Sequence, residues 1–329
     1  MAWIPPGVLR AGTPLDRAPR ISDEELPGTE IPLGGFYIDL LAYPNEPGAI
    51  STTNVTRDEA LRLCEGKGKR LCSELEWERA CKGPENATYE YGNEYRSTTC
   101  QTGVLAELAS KRPTGDRHAC KSGFGVMEMH GGVWEWSDSP WGRGSKESDL
   151  GVLRGGNHVA GELVGRCANA IARPLTTKGT TMGLRCCAGP RNDANVELAI
   201  LPGASLERAS KAEDLTTLLV PLAKRAWNTA TPIAFVRAWT WRPLPNEELV
   251  IGAGCAREPR QIRCGLVIAR PAGKVAHLVA HFEAGHEAPE IAQLGEPRKI
   301  RARGADAQGP FVRDLVYSYG RVDVSEAKR

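Results

Sequence analysis

The sequence predicts an α+β protein of two domains, and three observations carry that prediction. Two short helices can be placed by their caps in a first part that is otherwise rich in Gly, Cys and Trp, with few periodic runs. A single apolar-faced helix and a succession of strand-like runs fill the remainder. Between the two lies AGPRNDAN, 188–195, which holds Gly, Pro, Asn and Asp without apolar periodicity and so marks a boundary. The expected domains are 1–190 and 195–329, the second smaller and rich in antiparallel strands. A chain of 329 residues is at the size where one core commonly becomes two.

The elements follow in order. Thr56 caps a helix and Glu59, three residues later, can reach back to the cap, a capping box followed by Ala60, Leu61, Leu63 and Cys64 and stopped by Gly66 and Gly68. Ser73 and Glu76 repeat the device. There Leu75, Trp77, Ala80 and Cys81 give an apolar face, and Gly83-Pro84 ends the helix. In the second domain, residues 212–220 form a helix that Pro221 should end or kink. Strands are expected at IAFVRAWTW, ELVIGAG, IRCGLVIAR, KVAHLVAHF and FVRDLVYSY, with Phe235, Arg237, Trp239 and Trp241 alternating along a half-buried strand. Trp239 and Trp241 read as core side chains more readily than as a stacking platform for a sugar or peptide.

Charge narrows the partners. Forty-two Lys and Arg against 40 Asp and Glu leave +2, and no run of five or six like charges occurs, so the field that holds a phosphate backbone is missing and nucleic acid is not expected as a partner. No segment approaches the roughly 20 apolar residues of a membrane span.

Ten cysteines oppose the bland reading of a cytosolic protein. The paired C-x2-C spacing of zinc sites and the redox C-x-x-C are both absent, whereas this density favours disulfides and an oxidising compartment. The opening MAWIPPGVLRAGTP lacks the layout of a signal peptide, so an extracytoplasmic location (periplasmic, cell-surface or secreted) implies a signal segment upstream that has been removed. MEMHGGVWEW, 127–136, packs two carboxylates, a histidine, a Gly-Gly pair and two tryptophans into one stretch. By itself it admits a catalytic centre, a metal site or a buried core.

DEALRLCEGKGKRLCSELEWERAC, YEYGNEY, FGVMEMHGGVWEWS, VLRGGN and GLRCC occur in the order seen in the formylglycine-generating enzyme family, the sulfatase-modifying-factor domain. WIPPGVLRAGTP and IPLGGFYIDLLAYPN look like its entry and first core strands. The resemblance covers residues 3 to about 189. It implies a C-type-lectin-like architecture of two helices against small, irregular, mostly antiparallel sheets, and it is silent on 195–329.

The resemblance also implies a calcium site in MEMHGGVWEW, with Glu128 and Glu135 binding by side chain and Gly131 and Val133 by backbone carbonyl, which suits a hard cation that takes six to eight oxygens. The competing reading makes Trp134 and Trp136 core and pairs the glutamates with arginines. His130 serves neither and is expected as a partly exposed loop residue. The family's oxidases hold copper(I) with two cysteines shortly after RGG, as soft thiolates should. Here RGGNHVAGELVGRCANAIAR has only Cys167, Ala160 stands at the first copper position, and no copper is expected.

Two family disulfides carry over, Cys64 with Cys186 and Cys81 with Cys167, each worth on the order of 4–5 kcal/mol in the chain-entropy account. Cys100 with Cys120 would bracket a surface excursion, Cys72 with Cys187 is left by elimination, and Cys255 with Cys264 would close a short loop. The helical bundle that brings histidines in the family's iron-dependent sulfoxide synthases is not seen. Among His277, His281 and His286, the first two would chelate only from a helix; on the strand that KVAHLVAHF resembles they lie roughly 13 Å apart.

Two functions remain. One is a non-catalytic binding or structural protein that holds a protein or glycan partner at the cell surface or in the periplasm. The other is a degenerate or divergent protein-modifying oxidase, acting on a peptide or small molecule in a groove lined by Arg154, Asn157, His158, Glu162 and Arg173. The absent copper pair favours the first.

Overall fold

Both capping boxes form. In the computed structural model, which describes residues 1–103, 112–143, 149–196, 198, 205–209 and 213–329, Thr56 Oγ1 accepts from Glu59 N at 3.2 Å while Glu59 Oε2 accepts from Thr56 N at 2.8 Å. Ser73 and Glu76 do the same at 3.2 and 2.9 Å. The helices that follow are α1 (Arg57–Glu65) and α2 (Glu74–Lys82), each stopped at a glycine.

Contacts divide the chain into two units, Met1–Pro14 with Glu24–Leu198, and Leu15–Asp23 with Ala199–Arg329. In the first, β1 (Ala2–Ile4), β2 (Gly7–Gly12), β3 (Pro27–Leu33) and β4 (Phe36–Ile38) precede α1. Then β5 (Arg70–Leu71) precedes α2, and the short α3 (Ser97–Cys100) leads to β6 (Trp134–Pro140), β7 (Leu150–Gly155), β8 (Ala170–Pro174), β9 (Met182–Leu184) and β10 (Cys186–Ala188). They make one sheet in the order β1-β4-β10-β5, another in the order β8-β7-β6-β9, and the pair β2-β3. Only β6 with β9 is parallel among these pairings. This α+β arrangement of helices against small sheets is the C-type-lectin-like scaffold the sequence implied.

The ten cysteines form five disulfides, the same five pairs named above. Adjacent residues of a strand point to opposite faces, so Cys186 meets Cys64 of α1 on one side of β10 while Cys187 meets Cys72 on the other. One short strand is thereby stapled through both faces. Cys167 ties α2 to the turn before β8.

Leu75, Trp77, Ala80 and Cys81 are buried as the apolar face of α2 requires, and the burial goes further. All nine residues of α2 are buried, Glu74, Glu76, Glu78, Arg79 and Lys82 included. The charges stay inside because each carboxylate has a cation on it: Arg143 and Arg154 on Glu74, Arg70 on Glu76, Arg154 and Lys82 on Glu78.

The second unit contains β11 (Ser205–Arg208), α4 (Glu213–Ala226), β12 (Ile233–Leu244), β13 (Glu247–Arg257), β14 (Ile262–Ala272), β15 (Val275–Glu283), β16 (Glu290–Leu294), β17 (Glu296–Asp306), β18 (Gly309–Ser318) and β19 (Arg321–Val324). Sheets β11-β12-β13-β14-β15 and β16-β17-β18-β19 share one core through Trp239, Trp241, Leu266, Phe282, Ile300, Phe311 and Leu315. Leu219, Ala223 and Trp227 pack α4 against Val250, Val267 and Ala269 on the other face of the larger sheet. The helix runs through Pro221, which is exposed, so the carbonyl at 217 that loses its donor lies on the wet side. A β-bulge between Phe235 and Arg237 breaks the expected alternation. Phe235 consequently packs with α4, and the two tryptophans face the second sheet.

Leu15–Asp23, expected in the first domain, belongs to this unit. Arg20 donates to Glu247 at 2.8 Å and its backbone N to Tyr319 O at 2.9 Å. Arg270 also donates to Glu247 and, at 2.7 Å, to Leu15 O. Tyr317 donates to Glu247 at 3.0 Å and bonds Ser22, and burial followed by the Glu247 charge pushes its hydroxyl pKa well up. Among the described residues no helix is long and apolar enough to cross a membrane.

Candidate functional site

MEMHGGVWEW runs from a tight loop into β6. Trp136 is core, donating Nε1–H to Val55 O at 3.0 Å, and Trp134 packs against the same cluster. Glu128 sits at φ +55° and Gly131 at φ +79°. A side chain at 131 would place its Cβ 1.9 Å from Cys100 O, so the loop closes only with glycine there.

Of the oxygens proposed for calcium, those of Glu128, Glu135 and Gly131 are claimed by two arginines. Glu128 Oε1 accepts from the backbone N–H groups of Gly115 and Arg117, both at 2.9 Å, and its Oε2 accepts from Arg117 Nη2 at 2.7 Å. Arg117 Nη1 donates to Gly131 O at 2.9 Å. Glu135 takes Arg185 through Nε and Nη2 at 2.9 Å and the Trp77 indole N–H at 2.6 Å. Arg185 also donates to Asp39 O, Met127 O and Glu128 O, and is fully buried. This donor set does not fit calcium, which needs six or more oxygens converging at about 2.3–2.6 Å with their lone pairs free. The pairing of both glutamates with arginines is the alternative that the sequence left open.

His130 corrects its expectation too. It is 2% exposed, with Nδ1 at 2.6 Å from Glu90 Oε2 and its ring edge-on to Trp77. Glu90 Oε1 in turn accepts from Met129 N and rests against the Cys100–Cys120 disulfide. No signal in the sequence located Glu90 here.

Burial divides the five groove residues. Arg154 is wholly buried, its guanidinium spanning Glu74 and Glu78 at 2.8 Å each and the carbonyls of Cys167, Ala168 and Asn169. It holds the chain after RGG to α2 and cannot line a groove. His158 is buried as well, while Asn157 accepts from Val159 N, and Glu162 and Arg173 are exposed. Cys167, the single cysteine of RGGNHVAGELVGRCANAIAR, is bonded to Cys81 and so offers no free thiolate. His277, His281 and His286 enter no group of three metal-ligating side chains among the described residues, and KVAHLVAHF is the strand it was expected to be.

Buried carboxylates give the first unit an acid sensitivity of definite sign. Burial alone would raise the pKa of Glu74, Glu76 and Glu128, but the arginines on each, joined by Asn192 and the Ser73 backbone on Glu76 and by backbone N–H groups on Glu128, outweigh it and hold all three below the ordinary carboxylate value. A folded pKa below the unfolded one contributes stability that is present above the unfolded value and lost as pH falls through the folded value. Urea midpoints are therefore expected to hold between pH 7 and about 5 and to drop below about pH 4.5. A midpoint that is flat down to pH 3 would contradict this.

Residues 43–189 match the family described as the sulfatase-modifying factor enzyme 1-like domain. The bovine (Bos taurus) inactive C-alpha-formylglycine-generating enzyme 2 is 28% identical over 157 residues, covering 41% of this chain and 49% of that protein. A formylglycine-generating enzyme of Mycobacterium tuberculosis is 28% identical over 171 residues, covering 41% of this chain and 56% of its own. The chain thus spans about half the length of these relatives. The solved structure of PvdO from Pseudomonas aeruginosa superposes with a TM-score of 0.47 at 18% identity, over 56% of this chain and 92% of that one. Residues 43–189 are a domain of the sulfatase-modifying factor enzyme 1-like family, stapled by four disulfides.

Proposed function

We propose that this chain is a non-catalytic, extracytoplasmic binding or structural protein that uses a disulfide-stapled formylglycine-generating-enzyme-like scaffold to hold a protein or glycan partner. The observation that carries the reading is the Cys81–Cys167 bond. It commits the single cysteine of RGGNHVAGELVGRCANAIAR, and with all ten cysteines in disulfides no thiolate remains to bind copper(I) or to act as a nucleophile. The buried, ion-paired state of Arg154 supports it, since one of the residues expected to line the groove is a fastening of the fold. So does the relative named as inactive. Five disulfides favour an oxidising compartment.

The second reading, a divergent protein-modifying oxidase, draws on the likeness to active formylglycine-generating enzymes. Copper(I)-loaded protein incubated in air with a Cys-x-Pro-x-Arg peptide separates the two by mass spectrometry. No conversion of cysteine to formylglycine and no retained copper is the expected result, and turnover would overturn the proposal.

A further inference from the structure

We propose that Arg117 and Arg185 are built-in cations that replace calcium in the glycine loop, so that this domain folds and keeps its shape independently of the metal. The calcium site implied by the family resemblance would draw on two carboxylates, Glu128 and Glu135, and on the carbonyls of Gly131 and Val133. Each carboxylate instead has one guanidinium on it, Arg117 at 2.7 Å from Glu128 and Arg185 at 2.9 Å from Glu135. Arg117 also reaches the Gly131 carbonyl at 2.9 Å, and so performs for the loop what a shared ion does: it joins a side-chain oxygen to a backbone oxygen across a turn.

Charge makes the replacement exclusive. Two guanidinium groups bring the same two positive charges as one calcium ion, and they already balance the two carboxylates. Adding the metal without expelling an arginine would leave two uncompensated positive charges in a site where Glu128, Glu135 and Arg185 are all less than 5% exposed, and such burial is prohibitively costly. Expelling Arg117 is opposed by the chain itself. It stands in the loop closed by the Cys100–Cys120 disulfide, and its own backbone N–H is bonded to Glu128. Arg185 is held by three further carbonyls.

Calorimetric calcium titration and thermal melting of the full chain test this, with melts run in millimolar calcium and in chelator. The wild-type protein is expected to show no saturable calcium heat and the same melting temperature in both. Arg117→Met, which keeps the apolar stem and deletes the charge, is expected to melt several degrees lower in chelator and to recover part of that loss in calcium. Arg117→Lys should stay insensitive to calcium. Stoichiometric calcium binding by the wild type, with a rise in melting temperature that Glu128→Gln abolishes, would overturn the proposal. So would an Arg117→Met protein that melts like the wild type and ignores calcium. If Arg117→Met fails to fold, the wild-type titration and Arg117→Lys still decide.

Discussion

Arg154→Met is expected to destabilise the first unit by about 3–5 kcal/mol, the cost of removing one partner from a buried ion pair. The guanidinium is fully buried, bridges Glu74 and Glu78 at 2.8 Å each, and donates to three consecutive carbonyls from Cys167 to Asn169. Methionine fills much of the volume, so the loss is electrostatic. Glu78 keeps Lys82 at 2.8 Å and the Gly12 N–H at 2.6 Å, and Glu74 keeps Arg143 at 2.7 Å. Neither carboxylate is therefore stranded outright, but three buried carbonyls lose their donor as well, at about 1–3 kcal/mol for a group left unsatisfied, which keeps the effect in the stated range. Urea denaturation followed by tryptophan fluorescence checks it, and adding Glu78→Gln should return part of the loss, because the two sites share one network. A cost below about 1 kcal/mol would mean that the network contributes little.

A fragment of Ala199–Arg329 is expected not to fold cooperatively, whereas the same fragment carrying Leu15–Asp23 on a flexible linker should. Without the segment, Glu247 loses Arg20, Tyr317 loses Ser22, and Arg270 loses the Leu15 carbonyl. Losing one partner of a buried pair costs about 3–5 kcal/mol. That is comparable with the whole stability of many domains, about 5–15 kcal/mol. Circular dichroism melts of the two fragments decide the matter. A sharp transition in the bare fragment would show that the segment is dispensable.

The sequence made legible what depends on local chemistry. Thr56 with Glu59 and Ser73 with Glu76 located both helices because a capping box is satisfied within four residues. The runs around Val250, Val267 and Phe282 located three strands because their apolar content is high. β17, EPRKIRARGAD, escaped notice for the opposite reason: only Ile300 and Ala302 turn inward, and charge dominates its composition. The buried arginines were the larger omission. Whether Arg117 or Arg154 points to water or to a glutamate is decided by residues 11 to 80 positions away, and no local pattern carries that information. GLRCC did contain Arg185, but nothing in the motif told it apart from a surface arginine. The disulfide pairs were recoverable because the resemblance fixed two of them.

The tie between Leu15–Asp23 and the second unit also bears on synthesis. Ser22 leaves the ribosome 295 residues before Tyr317, its partner. At about 5–20 residues per second that interval lasts roughly 15–60 s. The segment waits unpaired throughout, while Glu24–Leu198 can fold and close its four disulfides. The order of events on the nascent chain is thus set by topology: the first unit can mature first, and the second is completed only when the last hairpin returns to Leu15–Asp23.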